Sequence, residues 1–264
     1  MIRNVFSRFE FVHGWAQKVK HKYFPAYVHH ENKWKSTEIE RRFNDAFEED
    51  FSVLRQNLKD ASKAQIGQDV LALMIIGKGP GYFVEFGATD GVALSNTYLL
   101  EESYSWRGIL AEPGIEWQAN LLSNRPKSHI DFRAIWTRSK VQLQFRQNKE
   151  LGSLVVDGKY EDDKPTYLVE TISLVDLLKE HIAPQEIDYL SVDIEGLEYD
   201  IITSGVLREF TFKLITIEHN YKMHRRAMLK FMRRSGYCRV FVNSSLWDDW
   251  FVKEEFAQSL LDSK

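Results

Sequence analysis

Three stretches of this sequence gather the residue types that do chemistry. The first is Val84-Glu85-Phe86-Gly87-Ala88-Thr89-Asp90-Gly91, an apolar run ending in a turn of small residues with two carboxylates. Gly87 and Gly91 let the backbone turn tightly and approach a ligand closely. Glu85 and Asp90 add negative charge, which suits a cationic sulfonium or amino group better than a pyrophosphate. A dinucleotide fingerprint needs a second glycine two residues after the first. Thr89 stands there, which sets aside a nicotinamide-dependent oxidoreductase. Taken alone, the turn fits an ordinary strand-to-helix connection equally well. Glu112, followed by Pro113 at the end of another apolar run, shifts the balance. A carboxylate there can accept hydrogen bonds from both hydroxyls of a ribose.

The other two stretches are Asp193-Ile194-Glu195-Gly196 and Glu218-His219-Asn220, each after its own apolar run. Asp193 could accept from an amino group of a ligand, bind a metal or orient an acceptor. Glu195 could equally face solvent or cap the next helix. Two readings compete for the second group. In one, His219 is a general base taking the proton of an acceptor hydroxyl, a task suited to a side chain that titrates near neutral pH. In the other, Asp193, Glu218 and Asn220 hold Mg2+, Mn2+ or Ca2+ through hard oxygen ligands, and the cation lowers the hydroxyl's pKa. The base is slightly favoured; a histidine that merely satisfies its neighbours is the plainer alternative.

The elements that must position these residues follow from hydrophobic periodicity. Ile39, Phe43, Phe47, Phe51, Leu54 and Leu58 recur at spacings of three or four, so residues 36–76 read as helical with an interruption at Gly67. Gly77-Lys78-Gly79-Pro80-Gly81 breaks that pattern, which divides the chain into an N-terminal part, 1–76, and a main domain, 77–264. Strands are expected at 82–86, 108–111, 130–135, 187–192, 214–217 and 237–242, with a last short one at 250–252. Helices are expected between them, one opening near Ser95 or Asn96 and one at Ser173. Val141–Phe145 alternates like one arm of a hairpin, and 152–165 reads as loop. This alternation implies an α/β fold: a doubly wound, mostly parallel sheet with an antiparallel edge strand.

With these blocks in place, the chain resembles the FkbM-type methyltransferases, a branch of the class I S-adenosylmethionine-dependent enzymes. The carrying segments are Phe83–Gly91, Leu94-Ser95-Asn96-Thr97-Tyr98-Leu99-Leu100-Glu101, Gly108–Pro113, Ile187–Gly196 and Ile217–Asn220. The resemblance spans roughly residues 80–253 and leaves 1–65 uncovered. It implies a Rossmann-like class I sheet and S-adenosylmethionine as cofactor, contacted by Gly87, Asp90, Ser95, Asn96 and Glu112. Glu85, Ala88, Thr89 and Pro113 belong to the same segments, and Arg133 and Ala134 would lie near the adenine. Asp193 would face the methyl donor. The reaction implied is O-methylation of a hydroxyl, with a sugar in a glycan favoured as acceptor. A polyketide-type product is the alternative acceptor, and a non-enzymatic membrane-docked scaffold the alternative function. Tyr221, His224, Gly152-Ser153-Leu154 and the loop Asn243–Trp250, with its tryptophans and paired acids, are weaker candidates for an acceptor cleft.

The 264 residues carry a net charge of −3, with 44% hydrophobic and 28% charged residues, as an ordinary globular chain does. No run of about 18 apolar residues appears, and because Arg3, Arg8, Glu10 and His13 interrupt the apolar residues of the N-terminal stretch, it is not expected to act as a secretory signal. Cys238 is the single cysteine, which excludes an internal disulfide framework. A cytoplasmic location and no nucleic-acid partner are the expectations. Residues 1–35 differ: seven Lys/Arg face Glu10 and Glu31, interleaved with aromatics such as Phe6, Phe9, Trp15 and Trp34. Such an arm is expected to pack on the main domain, to join subunits of a homo-oligomer, or to touch an anionic membrane face.

Overall fold

Apolar residues at helical spacing form α1 (Glu38–Asn57) and α2 (Gln68–Ile76). The structure, a computed structural model, describes residues 35–156, 163–220 and 224–264. The basic aromatic arm therefore lies almost wholly outside the described residues. Phe43 and Phe51 of α1 are buried, and Phe51 stacks on Phe241 at 5.4 Å and meets Trp250 edge-on. Glu40 is buried too, and its carboxylate accepts from Arg233 and from the Arg239 amide.

After the glycine-rich break come β1 (Tyr82–Phe86), α3 (Tyr98–Tyr104), β2 (Arg107–Ala111), α4 (Ile115–Asn124) and β3 (His129–Asp131). The run expected as one third strand, 130–135, is broken. The Asp131 carboxylate accepts from the Arg133 amide and guanidinium, an Asx-type turn that ends the strand. Its second half is β4 (Ala134–Trp136), which belongs to a separate sheet with β5 (Gln142–Arg146), β6 (Ser153–Leu154) and β7 (Thr166–Ser173), in the order β4-β7-β5-β6. Strand β5 is the expected hairpin arm, but its main partner is β7, antiparallel. Ala134, Phe145, Leu154 and Val169 make this sheet's own small core.

Ser173 then caps α5 (Leu174–Glu180), its hydroxyl accepting from the Asp176 amide. The chain returns to the main sheet with β8 (Glu186–Val192), the short α6 (Glu198–Ile201), β9 (Thr211–Glu218), α7 (Arg225–Arg234), β10 (Tyr237–Val240), β11 (Asp248–Lys253) and α8 (Glu254–Asp262). The seven strands run in the order β10-β11-β9-β8-β1-β2-β3. The antiparallel strand is β11, and it lies between β9 and β10 rather than at the edge where it was expected. Its register explains why: Trp250 and Phe251 are fully buried, so the strand cannot be an exposed margin.

Alternate residues of a strand face opposite sides. Phe83, Leu110, Tyr189, Leu214 and Val252 share one core with α1 and α2. Val84, Ile109, Leu190 and Ile215 are buried as completely. The sheet is thus covered on both faces, which accounts for near-continuous apolar runs in its parallel strands.

Candidate active site

Strands β1, β2, β8 and β9 are parallel neighbours. Their carboxyl ends therefore emerge on one edge, and strand order reverses direction between β1 and β8. Ligands of doubly wound sheets sit at such a point. Gly87 leaves β1 with φ +71° and is exposed. A Cβ placed on it would lie 2.2 Å from the Asp193 carbonyl oxygen, so the turn passes against the end of β8. Ala88 is buried, while the Thr89 amide donates to Glu112 Oε2 at 2.9 Å. Asp90 Oδ1 accepts from the Val92 and Ala93 amides.

Glu112 follows β2 and is buried. Its Oε1 accepts from the Gly114 amide at 2.6 Å. Burial pushes its pKa up to about 7. A carboxylate has about four lone-pair sites and two are used, so two remain for a diol. Glu85 and Ser95 stand differently. Glu85 is buried behind the turn, accepting from the Asn96 amide at 2.7 Å, from Ser95 Oγ at 3.0 Å and from Thr97 Oγ1. Burial raises its pKa, against the opposing pull of Arg125. Ser95 Oγ also accepts from the Thr97 and Tyr98 amides, so the turn itself satisfies the first amide of α3. The Asn96 side chain donates through Nδ2 to Ser191 Oγ at 2.9 Å.

Beside Pro113 opens a cavity of about 590 Å³ whose walls include Ile115, Gln118, Phe132, Arg133 and Tyr167. The Tyr167 hydroxyl accepts from the Ile115 amide and donates to the Pro113 carbonyl, tying β7 to the turn after Glu112. Arg133 lines this cavity while ion-paired to Asp131 and Glu180. Ala134 does not line it: it sits in the core of the second sheet. Gln118 and Tyr167 were missed from the sequence. Asp131, which also borders the cavity, had a usable signal, since it closes the strand after the one that Glu112 closes.

Across β8 and β9, Val192 pairs with Ile217, so the next residues, Asp193 and Glu218, are neighbours. Asp193, Glu195 and Glu218 offer carboxylate oxygens within 4.8 Å of one another. Glu218 Oε2 is buried with no hydrogen-bond partner among the described residues. Burial pushes the Glu218 pKa well above the carboxylate range, with Asp193 and Glu195 adding to it. Carboxylates so close disfavour one another's charged form. Asn220 sits at φ +41° and donates its amide to the Trp247 carbonyl.

His219 is 7% exposed. Its Nε2–H donates to the Asp248 carbonyl at 3.0 Å. Burial brings its pKa down to about 3, with Arg225 and Arg239 contributing and Asp249 opposing. The paired acids and Trp250 of the loop ending at residue 250 are likewise interior: Asp248, Asp249 and Trp250 are all buried at the start of β11. Ser153 and Leu154 are buried in β6. His224 is exposed and stacks on Tyr199 at 5.4 Å, whereas Tyr221 lies outside the described residues.

The family model described as Methyltransferase FkbM domain matches residues 85–238. No curated protein matches the chain. Among solved structures it is similar to a precorrin-6y C5,15-methyltransferase from Geobacter metallireducens GS-15, at 12% identity over 65% of this chain and 70% of that one, with a TM-score of 0.37. It is also similar to a TehB-like SAM-dependent methyltransferase from Corynebacterium glutamicum ATCC 13032 Kitasato, at 12% identity over 80% of this chain and 100% of that one, with a TM-score of 0.38.

Proposed function

Because the chain belongs to the FkbM methyltransferase domain family, and so is an S-adenosylmethionine-dependent methyltransferase, we propose that it O-methylates a hydroxyl acceptor, with a sugar of a glycan as the favoured class. The observation that carries this reading is the meeting of the Gly87 turn, Glu112 and the Asp193–Glu218 pair on one sheet edge. The residues fit the cofactor: an exposed glycine turn pressed against β8, and a carboxylate with lone pairs left for a ribose diol. When bound, the cofactor supplies an electrophilic methyl group on a sulfonium. Glu112 would hold the ribose, the Gly87–Asp90 turn the amino-acid end, and the cavity walled by Ile115 and Phe132 the adenine.

On the acceptor side, the carboxylates are the groups we assign to the proton. A base whose pKa is near 3 takes a hydroxyl proton poorly, so His219 is assigned to shaping the loop through Asp248. The adjacent Asp193 and Glu218 carboxylates are the better acceptor, in the form in which one of them is unprotonated. Hydroxyl-rich acceptors also suit a group of carboxylates, which accept hydrogen bonds.

A second reading rests on the same group: Asp193, Glu195 and Glu218 offer the hard oxygen donors that Mg2+, Mn2+ or Ca2+ prefer. A cation there would lower the acceptor hydroxyl's pKa.

No helix among the described residues is long and apolar enough to cross a membrane. A cytoplasmic location is proposed from the single cysteine, and contact of residues 1–35 with an anionic membrane face or a second copy from the arm's charge and aromatic content.

Titration calorimetry with S-adenosylhomocysteine, followed by a mass-spectrometric screen of glycans and sugar nucleotides, tests the reading. Binding and gain of one methyl group are expected; absence of binding at high micromolar ligand refutes it. Loss of turnover in EDTA, restored by added cation, selects the metal reading, and unaffected turnover excludes it.

A further inference from the structure

The segment Gly87–Thr97 joins β1 to α3 with little backbone hydrogen bonding of its own. Within it, Gly91 donates to the Ala88 carbonyl and Ser95 to the Val92 carbonyl. Four of its residues, Gly87, Thr89, Gly91 and Leu94, have positive φ, a region that non-glycine residues enter at a cost. Something outside the segment must hold it.

Arg125, directly after α4, does so. It is 1% exposed. Its Nη1 donates to the Gly91 carbonyl at 3.0 Å and to Ser95 Oγ at 3.2 Å. Nη2 donates to Thr97 Oγ1 at 2.9 Å. Nε and Nη2 both reach Glu101 Oε2, at 3.1 and 3.0 Å. Asn124 beside it donates to the Asp90 carbonyl at 2.8 Å. A Cβ on Gly91 would sit 2.6 Å from Arg125 Cγ, so a glycine is needed where the arginine passes beneath the turn.

A buried guanidinium costs desolvation, and an apolar side chain would seal the end of a helix more cheaply. What the arginine adds is a planar fork of five donors in fixed directions. Here the fork is spent on three points along the segment at once. Helix α4 starts at the Glu112–Gly114 turn and ends at this clamp, so one rigid element spans the two halves of the cofactor cradle.

We propose that Arg125, with Asn124, is a positioning residue for the methyl-donor site. It fixes Asp90–Thr97 from behind, and cofactor affinity depends on it. This rests on the reading of the Gly87 turn as the cofactor cradle.

The test uses the full chain and S-adenosylhomocysteine as probe. Calorimetry is combined with amide hydrogen exchange, at a temperature where circular dichroism shows each variant folded. Arg125→Lys keeps the charge beside Glu101 but loses the fork. Its affinity is expected to fall tenfold or more, with faster exchange confined to 90–97. Asn124→Ala, at an exposed position that folding tolerates, is expected to weaken binding several-fold. Affinities within twofold of the parent in both Arg125→Lys and Asn124→Ala overturn the positioning role while the cradle reading stands. A parent chain that binds no S-adenosylhomocysteine overturns both. If Arg125→Lys does not fold, the affinity of Asn124→Ala decides.

Discussion

Gly87 is the residue where side-chain size and backbone strain act together. An added Cβ would press on the Asp193 carbonyl at 2.2 Å, in a left-handed conformation that costs a non-glycine residue about 1 kcal/mol or more. Relief of that contact would move the turn away from β8. Gly87→Ala is therefore expected to weaken S-adenosylhomocysteine binding by more than tenfold while the protein stays folded, as checked by calorimetry beside circular dichroism. Affinity equal to the parent's would show that the turn has room. The same scale shows how residue type alone can mislead. Glu85 and Asp90 read alike in the sequence as charges beside a cation. The structure turns Glu85 inward to Ser95, Asn96 and Thr97, and holds Asp90 through one oxygen to the amides after it.

At the scale of elements, the second sheet matters because β7 reaches the main site. Tyr167 joins it to the start of α4 and to the Pro113 carbonyl before it through one hydrogen bond each. Tyr167→Phe deletes only those, a loss of about 1 kcal/mol per net hydrogen bond. Cofactor affinity is expected to fall several-fold, measured by titration calorimetry, with a small drop in melting temperature. Unchanged affinity would detach β7 from the site. The strands of the main sheet were legible because burial on both faces makes them continuous apolar runs. Strand β7, Thr-Tyr-Leu-Val-Glu-Thr-Ile-Ser, was not. Its apolar run Tyr167-Leu168-Val169 is short, stops at Glu170 and includes the exposed Leu168, and its partner β5 is half-exposed as well. The break between β3 and β4 was hidden for another reason: it is made by Asp131 folding back on Arg133, not by glycine or proline.

For the whole molecule, stability depends on buried charges that lie beneath the candidate site. Asp249 is paired with Arg225 at 2.7 Å and with Arg239 at 3.3 Å, and all three are buried. Although burial opposes it, the combined pull of His219, Arg225 and Arg239 takes the Asp249 pKa from 3.8 down to about 2. A lowered folded-state pKa means the contribution is complete above the unfolded value and is lost as pH falls through the folded one. The stability from Asp249 should thus be full above about pH 4 and disappear toward pH 2. Asp249→Asn leaves buried guanidinium charge without its partner and is expected to cost roughly 3–5 kcal/mol near neutral pH. It should also flatten the acid limb of a urea-stability profile between pH 4 and 2. A parent-like profile would refute the argument.

By itself the sequence determined the strand-helix alternation of the main sheet, the strand ends on which the acidic residues stand, and the family. Those depend on local periodicity and on short motifs whose residues are neighbours in the chain. Only the tertiary structure decided that His219 is shut away under Asp248 and that Glu195 joins Asp193 and Glu218. It also decided that the antiparallel strand lies inside the sheet, and that Arg125 holds a turn more than thirty residues before it. These features depend on burial and on contacts between distant segments. Burial sets which charges can exist, and packing sets which donors meet which acceptors; neither is written in residue type or spacing.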